Sequence, residues 1–221
     1  MTQRSGLALA VLALAAEEPM HPYRMQQLIR ERGKDQVVNV GQRSQLYKTI
    51  DRLVRDGLLV AQGTERESAR PERTVYAVTD AGRELAVTWT LDMLTAPRHE
   101  FAEFTAALAY LPLLEPEVAA DALALRLSDR RGERDRLRRE LQHVGGTLPR
   151  IVLVEAEYAL AHLETDVAWI GALLDDLRSG ALTWNQDHLL DIARRTARGE
   201  TQRWGEHADR GARPVEGEDP P

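Results

Sequence analysis

The sequence contains no cysteine, which excludes disulfides and thiolate-bound metal centres outright. Aromatic residues are scarce, at 5% of 221 positions with only two phenylalanines. No apolar stretch reaches the ~20 residues that a helix needs to cross a bilayer. The run from Leu7 to Ala16 would extend only about 15 Å at ~1.5 Å per residue. There is no Gly-rich phosphate loop, no nucleophile elbow and no His-Glu-x-x-His helix. His162 and Asp166 stand four apart at a spacing that can ligate a metal, but they lack a third ligand, and surface polarity is the preferred reading. The expectation is therefore a non-enzyme without cofactor or metal.

Charge is abundant but unevenly placed. Charged residues make up 29% of the chain, for a net charge of −6. Residues 1–84 hold 13 basic against 11 acidic side chains, whereas residues 85–221 hold 16 against 24. A near-neutral front half and an acidic back half suggest two modules with different partners. At the front, "SGLALAVLALAA" (residues 5–16) can be read as an export signal or as a buried first helix. The second reading is preferred, because the helices that follow need an apolar partner.

Those helices have visible punctuation. Pro22 suits the first position of a helix, and Tyr23, Met25, Leu28 and Ile29 recur at helical spacing until Gly33. In "NVGQRSQLYKTIDRLVRDGLL", Asn39 and Gln42 read as a capping box, and Gly57 as the left-handed stop. Leu46, Ile50 and Leu53 form an inner face. Ser44, Lys48, Asp51 and Arg55 centre on the outer one, flanked by Gln45, Tyr47 and Arg52. The period then shortens: "GLLVAQG" and "RTVYAV" read as a hairpin around the polar tip "TERESARPE". Thr79 is a good N-cap for a further helix. Three helices, a hairpin and a helix make the layout of a winged helix-turn-helix, whose third helix enters the major groove.

The front module resembles the PadR family of bacterial transcriptional regulators. The resemblance is carried by "LALAVLALAAEEPMHPYRM", by "QLYKTIDRLVRDGLL" around Tyr47 and Gly57, and by "ARPERTVYAVTDAGR". The sequence departs from it at Pro22 and Ala69, where many members have glycine. The resemblance implies that Tyr47 bonds a backbone phosphate and that Lys48 meets phosphate or a guanine edge. Gln45 suits adenine and Arg43 guanine, with Ser44 beside them, while Arg66, Arg70 and Arg73 of the wing would reach the minor groove or phosphates. Alternatives stay open: Tyr47 as a packing residue, Arg52 and Arg55 paired with Asp51 and Asp56, and Arg73 paired with Glu65 or Glu72.

The back module is helical in pattern. "EVAADALALRLSDRRGERDRLRRELQHVGG" is long and charged. After Pro149 an apolar heptad runs through Leu153, Ala156, Leu160, Leu163, Val167, Ile170, Leu174 and Leu177, the seam of a coiled coil. Its stripe must be buried on another helix, and a second copy of the chain is preferred over an intramolecular partner. The segments "FTAALAYLPLLEPE" and "DVAWIGALLDDLRSG" resemble the C-terminal helical region of PadR-type proteins, which implies a dimerisation arm carrying Leu160, Leu163, Val167, Ile170, Leu174 and Leu177. The resemblance also implies small aromatic or hydrophobic effectors bound near the dimer interface. Trp89 and Trp169 are weighed for that role, with core packing preferred for both.

The expected fold class is mainly α, with a winged helix-turn-helix domain and linker helix at residues 1–96. A coiled-coil-like helical dimerisation domain would span residues 97–185, and a helix remnant with a disordered tail residues 186–221. The expected function is a cytoplasmic, sequence-specific DNA-binding regulator, a ligand-responsive repressor acting as a homodimer. Its partners would be double-stranded operator DNA, a second copy and a small hydrophobic or aromatic effector, with no membrane. The alternative is a coiled-coil scaffold protein whose winged domain grips DNA weakly.

Overall fold

Ser5 starts the first helix by accepting the Ala8 amide on its hydroxyl at 3.2 Å. That helix, α1 (Gly6–Glu17), is apolar on almost every side, and Leu7, Ala8, Val11, Leu12, Leu14 and Ala15 are all buried. Such a helix belongs at the centre of a fold. The computed structural model describes residues 4–65, 73–96 and 102–198. It divides into two compact units, residues 1–100 and 101–221.

In the first unit, α1 touches α2 (Pro22–Glu31), α3 (Arg43–Arg55), α4 (Asp80–Thr95) and the second strand of a hairpin. Pro22 opens α2, and the His21 ring accepts the Arg24 amide there at 3.0 Å. Gly57, at φ +72°, ends α3 in the left-handed region. Leu12, Met25, Leu46, Ile50, Leu53 and Leu59 are fully buried, each contributing about 1.5–3 kcal/mol relative to exposure. At the surface Arg32 donates to both carboxylate oxygens of Glu17. This hydrogen bonding holds the Glu17 carboxyl below its ordinary range and the Arg32 guanidinium above its own.

The start of α3 differs from the capping-box expectation. The N-cap is Gln42, with no side-chain cap bond, and Asn39 instead accepts the Gly41 amide at 3.0 Å. The cause lies elsewhere in the chain. Buried Gln26 donates its side-chain amide to the Val40 carbonyl at 2.9 Å, and that bond ties the segment down outside any helix. Arg43, Ser44 and Gln45 consequently form the first turn of α3 itself.

The hairpin pairs β1 (Leu59–Glu65) with β2 (Arg73–Val78) in antiparallel register, with an irregularity between Ala61 and Gly63. On the other edge of β2, Met20 and Tyr76 exchange main-chain bonds at 3.1 and 3.0 Å. Thr79 caps α4 by accepting the Gly82 amide at 3.1 Å, and its hydroxyl donates to the Gly57 carbonyl at 2.8 Å. Gly82 is a close approach: a Cβ there would lie 2.2 Å from the Leu58 carbonyl oxygen.

The second unit begins with α5 (Glu103–Ala109) and a short 3-10 turn, Leu111–Leu113. Its body is a helical hairpin of α6 (Pro116–Val144) and α7 (Val154–Ser179), followed by α8 (Gln186–Ala197). Here the expected seam needs correction. Leu163, Val167, Ile170, Leu174 and Leu177 are buried, and Val167, Ile170, Leu174 and Leu177 cluster with Ala120, Leu123 and Leu127 of α6. Leu160 is half-buried. The stripe assigned to a second copy is thus filled within the chain. The short connection between α6 and α7 makes that closure cheap in entropy. Arg138–Glu164 at 2.6 Å and Arg130–Asp166 at 3.8 Å bridge the two helices at the surface. Trp184 ties the segment after α7 to the Leu114 carbonyl at 2.9 Å.

Candidate nucleic-acid interface

The 3.6-residue period of α3 separates two faces. Leu46 and Ile50 are 1% exposed and Leu53 0%, so the inner face is sealed against the core. Ser44, Gln45, Tyr47, Lys48, Asp51 and Arg55 are exposed, and Arg52 is half-buried. Tyr47 is 49% exposed, so its ring straddles the border between packing and solvent. Thr49 turns inward and bonds the Gln45 carbonyl at 2.8 Å. The main chain of Arg43 belongs to the first turn of α3.

Among the described residues, Lys48, Arg52 and Arg55 make no ion pair, so their surface pairing with Asp51 and Asp56 is not present. The Arg52 Nε is shut off from solvent and has no hydrogen-bond partner there. A notch of about 370 Å³ opens beside it, lined by Ser5, Leu7, Gln45, Lys48, Thr49 and Arg52. Neither Ser5 nor Leu7 was singled out from the sequence as part of a site. The missing signal is tertiary, since the two lie some forty positions from α3.

The wing is described only at its base. Arg73 pairs with Glu65 in strand register. Arg66 and Arg70 lie outside the described residues, as does Ala69.

The tryptophans separate. Trp89 is 6% exposed and belongs to the core of the first unit, where the packing reading puts it. Trp169 departs from the packing expectation: it is 49% exposed on α7 and meets Phe104 edge-on at 6.5 Å. Arg126 stacks over the Phe104 ring at 3.6 Å. His162 faces Tyr158 edge-on, and Asp166 pairs with Arg130. No group of three His, Asp or Glu among the described residues is placed to hold a metal. No helix among them is long and apolar enough to cross a membrane.

A sealed inner face, an outward cationic and amide-bearing face, and a hairpin tied to the same core define a winged-helix DNA-binding domain. Residues 11–87 match the model of the transcriptional regulator PadR-like family. These residues form a PadR-like domain. No curated protein matches the sequence. Among solved structures, Bacillus subtilis PadR in complex with operator DNA superposes with a TM-score of 0.66 at 19% identity, over 78% of this chain and 99% of that one. The same protein with p-coumaric acid gives 0.63 at 18% identity, over 78% and 98%. The Vibrio cholerae virulence activator AphA gives 0.59 at 17% identity, over 79% and 99%. At these identities the likeness is one of fold.

Proposed function

We propose that this regulator is a sequence-specific repressor that binds operator DNA as a homodimer and responds to a small hydrophobic or aromatic effector. The observation that carries the DNA reading is the outer face of α3, with Ser44, Gln45, Tyr47 and Lys48 exposed over a sealed Leu46–Ile50–Leu53 face. In this reading of the PadR-like domain, that face turns to the major groove. Lys48 takes a phosphate or guanine edge, Gln45 reads a base edge, and Arg43 and Arg52 flank them. Arg66, Arg70 and Arg73 belong to the wing's part of the same interface. The operator complex of Bacillus subtilis PadR supports this reading, and its p-coumaric acid complex supports the effector.

The homodimer rests on the second unit. With its heptad seam closed internally, Trp169 and Tyr158 of α7 and Leu125 and Val118 of α6 remain exposed, and exposed apolar side chains of this size on a small helical unit favour a docking surface. Two copies would place their third helices about 34 Å apart, one duplex turn.

Selection of bound sequences from a random duplex pool, followed by affinity measurements across a salt series, tests the proposal. Wild-type affinity should fall steeply with salt as counterions are released. Lys48→Ala should weaken binding to all duplexes alike. Gln45→Ala should relax preference at a single base position, costing about 1–3 kcal/mol of discrimination. Unchanged binding by both variants would remove α3 from the interface.

A further inference from the structure

The notch between α1 and α3 has features that base reading by α3 does not use. The geometry points to a phosphate-binding site there, in which the start of α1 and the Lys48–Arg52 side of α3 clamp one phosphodiester of the duplex backbone. This inference rests on the DNA-binding reading and adds a second element to it.

Several observations converge. Ser5 and Leu7 of α1 face Gln45, Lys48, Thr49 and Arg52 across about 370 Å³, ample for a phosphate group. The lining holds two cationic side chains and no carboxylate. Arg4, just before α1, does not line the notch and is paired with Asp92 at 3.7 Å. Arg52 lines the notch, and its Nε has no hydrogen-bond partner among the described residues. The Ser5 hydroxyl caps the Ala8 amide, while the Gly6 and Leu7 amides have no acceptor in the helix. A twelve-residue helix adds the positive end of its dipole at the same place.

The chemistry assigns a division of labour along α3. Ser44 and Gln45, at its first turn, keep the base-reading role proposed above, with Gln45 also bordering the notch. Lys48 and Arg52, one and two turns on, share the notch with α1 and grip the backbone. Phosphate contacts of this type fix register on the duplex and carry no sequence information.

Ser5→Asp separates fold from function. Aspartate is as good an N-cap as serine, so α1 keeps its start, but the notch gains a negative charge. Ser5→Asn caps as well and adds none. The expected result is that Ser5→Asp binds both a pool-selected duplex and a mixed-sequence duplex more weakly by roughly tenfold or more, the loss of one charge-assisted contact. Its salt slope should fall by about one per bound chain, with Ser5→Asn close to wild type. Arg52→Gln should reproduce the sequence-independent loss, and hydrogen exchange in α1 should be unaltered in all three.

Equal binding by Ser5→Asp and wild type overturns the notch while leaving the DNA reading intact. A wild-type chain that binds no duplex overturns both. Inorganic phosphate titrated into the wild-type chain provides the remaining arm: millimolar or tighter saturation, with duplex affinity indifferent to Ser5→Asp, would assign the notch to a free anion and overturn the backbone clamp.

Discussion

Two glycines show how much a single missing methyl group depends on its surroundings. Gly82 sits in the first turn of α4 with the Leu58 carbonyl oxygen 2.2 Å from where a Cβ would stand. That oxygen is fixed, because it accepts the Thr79 amide at 3.1 Å. Gly82→Ala should therefore destabilise the first unit by about 1–3 kcal/mol despite the gain in helix propensity. Gly132, inside α6, has nothing within 4 Å of its would-be Cβ. There Gly132→Ala should stabilise the second unit by about 0.5–1 kcal/mol. Peptide-resolved hydrogen exchange reads each unit separately and should show opposite signs. At this scale the sequence was legible where chemistry is local. Thr79 as a cap and Gly57 as a stop follow from their own side chains. Gly82 does not, because its constraint is the backbone of another segment.

Among the elements, α3 and α7 make an instructive pair. The spacing of Leu46, Ile50 and Leu53 predicts a buried face, and the structure seals it. Periodicity reads equally well on α7, where Val167, Ile170 and Leu174 are buried as a stripe. What a period cannot encode is the identity of the covering helix. Leu123 and Leu127 of α6 occupy that role, and nothing in the spacing distinguished them from a second copy. Ile170→Ala should cost about 2–5 kcal/mol through the cavity it leaves, with loss of exchange protection throughout α6 and α7. The loss should be the same at every protein concentration; relief at high concentration would return the seam to an intermolecular role. The start of α3 failed to read for a related reason. The bond from Gln26 to the Val40 carbonyl spans 14 residues and outweighs the local capping signal of Asn39.

For the whole molecule, the formal charge is +2 in residues 1–84 and −8 beyond, a balance that disfavours a polyanion on the back of the chain more than on the front. If the exposed face of α7 is the surface where copies meet, Trp169→Asp should weaken self-association by about thirtyfold, the scale of a tryptophan hot spot. Sedimentation over a concentration series would measure this, with exchange protection of the α6–α7 hairpin retained because Trp169 is 49% exposed. A variant that sediments like wild type would place the contact elsewhere. The main-chain exchange between Met20 and Tyr76 bears on how such a regulator meets its target. It makes β2 the middle of three extended segments, so the base of the wing is locked on both flanks. Swinging the hairpin base away from Met20 would sever two main-chain hydrogen bonds. In the proposed grip on DNA, recognition helix and wing would therefore close together as one jaw, without a joint between its two teeth.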